Sequence, residues 1–197
     1  MTSSAVGASG LAARLDAGKI GVAGHSLGGK VSINAAILDS RIKAVVGWDP
    51  VDALPPFGND GSLSVAPELM GGLTVPIALL GETTDSSGGL GGMSCAPAAD
   101  NFHQYYEHAT HAAIEIEVMG ASHMSFLDDP ACGFTCSSCP AGTDDPATSR
   151  RLTRRYLTAF LNVTLRGLPA YRSYLIGADM AGDVAAGRVR AAAKNGL

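Results

Sequence analysis

From Lys19 to Gly120 short apolar runs alternate with helical segments, and this alternation constrains the fold more than any other feature of the sequence. "KIGVAGH" (Lys19 to His25), "IKAVVGWDP" (Ile42 to Pro50), "VPIALLGE" (Val75 to Glu82) and "AIEIEVMG" (Ala113 to Gly120) are rich in Val, Ile or Leu. Each is too brief for a helix and closes on a turn signal, so each reads as a buried strand. "LGGKVSINAAILDS" carries Val31, Ala35 and Leu38 at helical spacing, and "AADNFHQYYEHAT" reads as a polar and aromatic helix with Asp100 or Asn101 as its N-cap. "SRRLTRRYLTAFLNVTLRG" is the longest amphipathic helix, ended by Gly167. Such a pattern predicts an α/β fold, a mostly parallel sheet with helices on both faces, whose working groups lie at the carboxyl ends of the strands. The Gly- and Pro-rich stretch from Asp52 to Thr74 and the loop "TTDSSGGLGGMSCAPA" fall at those ends.

The end of the first strand is chemically the most informative. Gly24-His25-Ser26-Leu27-Gly28 places a serine between a strand and a helix with glycines two residues to either side, the pattern of a sharp turn that exposes a nucleophile. A serine hydroxyl needs a base, a group to orient the base, and donors for the developing oxyanion. The Leu27 N–H at the helix start is one expected oxyanion donor. His123 in "MGASHMSFLDD" is the candidate base, because it follows the last strand of the repeat and comes after the serine in the chain. His103, His108 and His111 fall on a helix, where a solvated face is the plainer reading, and His25 belongs to the turn itself. For the orienting acid, Asp49 and Asp85 both end strands, and spacing does not choose between them. Asp49 has the tighter context, a strand running into a Pro turn, whereas Asp85 lies in a Ser/Gly loop suited to solvent. Glu82 and Asp52 read more plainly as a strand-end cap and a turn residue.

The chain's 46% hydrophobic and 16% charged content suits one globular domain with a real core. A net charge of −4, with no basic stripe beyond "SRRLTRR", argues against a nucleic-acid partner, and no apolar run reaches the roughly 18 residues of a membrane span. The amino terminus lacks the apolar middle of a secretory signal, yet the cysteine usage suggests an extracellular or otherwise oxidising compartment. Cys132, Cys136 and Cys139 crowd together while Cys95 stands apart. Their spacing also resembles an iron–sulfur ligand set, and zinc would need Cys95 as the fourth ligand. Disulfides bracing a surface loop are the preferred reading, with the pairing open. Asn162-Val-Thr164 matches a glycosylation sequon but sits inside a helix, where chance explains it better.

Taken in order, "GHSLGGK", "GWDPVDA", "CAPAADNFHQYYEHA", "GASHMSFLDD" and "YLTAFLNVTLRG" resemble the chlorophyllase-like branch of the α/β-hydrolases from about Lys19 to about Leu175. The resemblance implies carboxylic ester hydrolysis through an acyl-serine, with Ser26, Asp49 and His123 as the triad, a small-molecule ester as substrate, and no cofactor or metal. Its acid placement is also similar to that of platelet-activating-factor acetylhydrolases, which favours Asp49 over Asp85. Plant chlorophyllases usually carry Arg where this chain has Leu27, so chlorophyll itself is not implied. Members of this branch have several strands before the nucleophile strand, where this chain has only 18 residues. The expected organisation is therefore a poorly structured or helical remnant over 1–18, the carboxy-terminal portion of an α/β-hydrolase over 19–178, and a short tail over 179–197. The first strand would then be a sheet edge that a partner chain could cover.

Overall fold

The computed structural model describes residues 14–52, 64–85, 94–129, 136 and 139–197. Five strands form one sheet in the order β1-β2-β3-β4-β5, comprising β1 (Ile20–His25), β2 (Ile42–Trp48), β3 (Ile77–Glu82), β4 (Ala113–Val118) and β5 (Val189–Lys194). The first four run parallel and β5 pairs antiparallel with β4. The helices are α1 (Leu27–Leu38), α2 (Phe102–His108), α3 (Pro146–Thr164), α4 (Ser173–Ile176) and α5 (Ala178–Ala185).

Alternation along the central strands explains why the runs are continuously apolar. Ala44, Val46, Ala78, Leu80, Ile114 and Ile116 face a core closed by Leu152, Tyr156, Ala159 and Phe160 of α3 and by Met180 of α5. The residues between them, Val45, Ile77, Leu79 and Ala113, face a second core with Ile33 and Ala36 of α1 and with Phe102 and Tyr105 of α2. Both faces of the sheet are thus covered, as a parallel sheet requires. Local signals set the helix starts: Asn101 caps α2 by accepting from the His103 N–H, and Asp145 caps α3, accepting from Ala147 and Thr148 ahead of a Pro at the first position.

Two expectations differ from the structure. In α1 the apolar residues at helical spacing are not all inward: Val31 and Leu38 are 60% and 78% exposed, while Gly29, Lys30, Ile33 and Ala36 are buried. Gly29 lets the first turn approach Pro50 closely and Ile33 and Ala36 enter the core further along, so the buried face is offset from the residues Val31 and Leu38. Residues 179–197, read as a tail, instead contribute most of α5 and the whole of β5, which pairs from Val118↔Val189 to Ala113↔Lys194. Its sequence "VRAAAK" carries little apolar signal because a nearly exposed edge strand needs little. The amino-terminal remnant lies largely outside the described residues.

The buried lysine is paired. Lys30 on α1 reaches Asp52 Oδ1 at 3.0 Å and also donates to the Asp52 carbonyl. The same carboxylate accepts from the Val65 and Ala66 N–H groups and from Ser64 Oγ, so Asp52 ties α1 to the segment after β2 rather than serving as a simple turn residue. Asp52→Ala leaves a buried ammonium without its carboxylate partner, and a loss of roughly 3–5 kcal/mol is expected in chemical denaturation, against a change near zero for the exposed Lys43→Ala.

Candidate active site

Ser26 sits between the end of β1 and the first turn of α1 with φ 55° and ψ −127°, left-handed backbone that a non-glycine residue rarely adopts. Its N–H donates to the Trp48 carbonyl at 2.9 Å, and its carbonyl accepts from Gly29 and Lys30 of the first helical turn. The glycines around it have different jobs. A Cβ at Gly24 would overlap the Gly28 carbonyl, and one at Gly29 would lie 2.7 Å from Pro50 Cβ, whereas one at Gly28 would meet nothing within 4 Å. The close crossing of strand and helix thus rests on Gly24 and Gly29. The Leu27 N–H, at the first position of α1, has no carbonyl within its own helix to bond.

Asp49 ends β2 and also has positive φ, 42°, with its N–H donating to the Leu80 carbonyl at 2.6 Å. Its carboxylate Oδ2 lies 2.7 Å from His123 Nδ1, and both side chains are almost completely buried. His123 comes from the turn after β4, which is held by the Thr143 N–H on the Gly120 carbonyl at 2.8 Å and by Ser125 Oγ on Asp144 at 3.0 Å. Gly120, at φ 78°, makes the bend that this turn requires. Burial pushes the His123 pKa down to about 4, so the imidazole is neutral over most of the pH range. With Nδ1–H donating to Asp49, Nε2 keeps its lone pair as a base.

His25 belongs to this arrangement, which the sequence reading left unassigned. Its Nε2 donates to the His123 carbonyl at 2.8 Å, and the two rings lie 4.5 Å apart. Burial together with the adjacent His123 lowers its own pKa to about 4. Only the proximity of two distant segments creates this contact, so no local sequence signal carries it.

The structure places Asp85 differently from a solvated loop residue. It is buried, its Oδ1 accepts from the Cys95 N–H at 2.9 Å, and its charge is felt at both Asp49 and His123. His123 nonetheless bonds Asp49. Glu82 is fully buried at the end of β3, where its Oε2 accepts from the Thr84 and Asp85 N–H groups. Cys95 and Cys139 form a disulfide that ties the loop after β3 to the loop after β4, and Cys136 is disulfide-bonded as well; Cys132 lies outside the described residues. Among the described residues no cysteine is a free thiol.

The family model described as Chlorophyllase covers residues 10–177. This chain belongs to the chlorophyllase family. Chlorophyllase type 0 of Chenopodium album is 26% identical over 169 residues, covering 77% of this chain and 46% of that protein. A ferulic acid esterase structure from Streptomyces cinnamoneus superimposes with a TM-score of 0.56 at 27% identity, covering 79% of this chain and 43% of the other. The chain therefore spans less than half the length of either relative. The likeness to the esterase agrees with an α/β-hydrolase fold.

His103 is not on a solvated face: its Nδ1 and Nε2 lie 2.9 and 3.1 Å from Glu115 and Glu117 of β4, and Arg190 of β5 completes the cluster at 3.1 Å from Glu117. The hydrogen bond to Glu115, then that to Glu117, pushes its pKa up to about 10. A pKa raised on folding stabilises fully below the unfolded value, about 6.5, and that contribution disappears as pH rises through 10. His103→Ala should thus lower the melting temperature at pH 6 and have progressively less effect toward pH 10. For the turn itself, Gly24→Ala and Gly29→Ala should each cost about 1–3 kcal/mol or prevent folding, while Gly28→Ala should melt within about 1 kcal/mol of the parent chain.

Proposed function

We propose that this chain is the catalytic portion of a serine ester hydrolase acting on small or lipid-like carboxylic esters, with Ser26 as nucleophile, His123 as base and Asp49 as the acid that orients it. The single observation that carries the reading is the buried 2.7 Å bond from His123 Nδ1 to Asp49 Oδ2, in a chain whose Ser26 is held at positive φ on the strand-to-helix turn. Family membership and the likeness to a ferulic acid esterase support ester chemistry.

Ser26 Oγ attacks the ester carbonyl while His123 Nε2 takes its proton, and the oxyanion of the tetrahedral intermediate faces the Leu27 N–H at the positive end of α1. Collapse of the intermediate expels the alcohol, which receives the proton from His123, and leaves an acyl-serine. Water activated by the same imidazole then frees the acid and restores Ser26. A buried Asp49 holds the imidazole in one tautomer through both half-reactions and stabilises the imidazolium when it forms.

A second reading is favoured by the place of β1. It pairs only with β2 among the described strands, and its other edge, with Leu27 and Val31 exposed nearby, offers unpaired backbone groups to another strand. On that reading the chain is silent until a partner or further segment lies along β1.

Labelling with a fluorophosphonate probe separates the two, because the probe needs an activated serine and no particular substrate. The purified chain should label, and Ser26→Ala should not; a folded chain that fails to label favours the silent reading. Because His123 stays neutral down to about pH 4, labelling should persist through pH 5 and fall only as pH drops through about 4, rather than near the ordinary histidine value of 6.5. A fall centred near 6.5 would remove the burial argument for His123.

A further inference from the structure

The base and the nucleophile of the proposed site come from the two outer strands of the parallel part of the sheet. In the order β1-β2-β3-β4, Ser26 follows β1 and His123 follows β4. Three strand spacings of about 4.8 Å put those strand ends roughly 14 Å apart, so the turn after β4 must reach back across the sheet. Asp49, at the end of β2, holds the edge of the imidazole through Nδ1. Other hydrogen bonds of the turn run elsewhere. The Ala121 carbonyl accepts from Thr83 and Thr84 after β3, the Gly120 carbonyl accepts from Thr143, Ser125 Oγ donates to Asp144, and the Leu127 carbonyl accepts from Arg150 of α3. Among the described residues one hydrogen bond joins this turn to β1, and it comes from the residue before Ser26: His25 Nε2 donates to the His123 carbonyl at 2.8 Å.

His25 touches the turn with its ring as well. The ring lies 4.5 Å from that of His123, tilted by 35°, and 6.4 Å from that of Phe126. It is also fixed at its own end of the contact: His25 is the last residue of β1 and pairs with Trp48 of β2, whose carbonyl accepts the N–H of Ser26. Burial lowers both imidazoles to about 4, so the rings pack without charge repulsion and His25 carries its proton on Nε2 as a standing donor.

We propose that His25 is a positioning residue for the base: it holds the main chain and the ring of His123 in a fixed place relative to Ser26, while Asp49 holds the edge of the ring. The base is thereby tied to the strand that carries the nucleophile and not only to the strand that carries the acid. Proton transfer needs the two reacting groups within hydrogen-bond reach, and a misplacement of about 1 Å can cost about 10²-fold in rate. A turn spanning three strand spacings cannot meet that tolerance from its far end alone, and the bond from His25 fixes it at the near end.

The effect on rate rests on the proposed use of Ser26, but the hold on His123 does not, so two measurements keep the failures apart. His25→Gln keeps a donor where Nε2 lies, His25→Phe keeps the ring without the donor, and His25→Leu keeps neither. Fluorophosphonate labelling should stay within about threefold of the parent in His25→Gln, fall about tenfold in His25→Phe, the worth of one hydrogen bond, and fall further in His25→Leu. A residue that merely fills space gives the reverse order, because Phe resembles the ring and Gln does not. That reverse order, or parental labelling in His25→Phe, overturns the proposal. The second measurement needs no activity. The Nδ1–H of His123, bonded to buried Asp49, should give a far-downfield proton resonance at neutral pH, assigned by its loss in His123→Gln. It should persist in His25→Gln and broaden through faster exchange with water in a His25→Phe chain whose far-ultraviolet circular dichroism matches the parent. No such resonance in the parent, or one unchanged in folded His25→Phe, overturns the proposal whatever the labelling. If His25→Leu does not fold, the comparison of Gln with Phe decides alone. If the parent chain does not label, the reading of Ser26 fails and the resonance alone decides whether His25 holds the base.

Discussion

The candidate site depends on two residues held in left-handed backbone at the ends of adjacent parallel strands. Ser26 and Asp49 both have positive φ without being glycine, a conformation that costs about 1–3 kcal/mol at each position unless the surroundings enforce it. Here the surroundings are the sheet: the Ser26 N–H is taken by the carbonyl of Trp48 on β2, and the Asp49 N–H by that of Leu80 on β3. Each strand end thus fixes its neighbour's turn. Ser26 and Asp49 are placed by the register of β1, β2 and β3 rather than by their own loops.

That dependence gives the two cores a functional meaning. The close approach of α1 to the sheet, set by Gly24 and Gly29, aims the helix start at Ser26. On the opposite side α3 and β5 support β4, whose end supplies His123. The disulfide between Cys95 and Cys139 then joins the loops that carry Asp85 and follow His123. Water is kept from Asp49 and His123 by burial, and burial also shifts the titration of the cluster: it lowers His123 and His25, and it raises Asp49 and Glu82.

The strands, a cap at Asp100 or Asn101, of which Asn101 is the one that caps, and the candidates Ser26 and His123 could be read from the chain, because strand ends, caps and nucleophile turns have local patterns. The inward face of α1 could not be read in full, since Gly29, the paired Lys30, Ile33 and Ala36 make its contacts while Val31 and Leu38 point outward. Nor could β5, whose "VRAAAK" lacks an apolar alternation. His103 illustrates the limit most clearly. On its own helix it has the look of a solvated residue, and only the pairing of β4 with β5 gathers Glu115, Glu117 and Arg190 around it.

The sequence by itself determined the layered parallel sheet, the turn that bears Ser26, and the candidate base, because each follows from short-range periodicity and the steric needs of one turn. Which aspartate meets the base was settled only by tertiary structure, for Asp49 and Asp85 both end strands and differ in what lies across from them. Tertiary structure also buried Glu82 completely while it caps its strand end by accepting from the Thr84 and Asp85 N–H groups, and it turned His25 from a turn residue into a contact of His123. Burial and charge proximity are properties of segments far apart in the chain, and no local pattern encodes them.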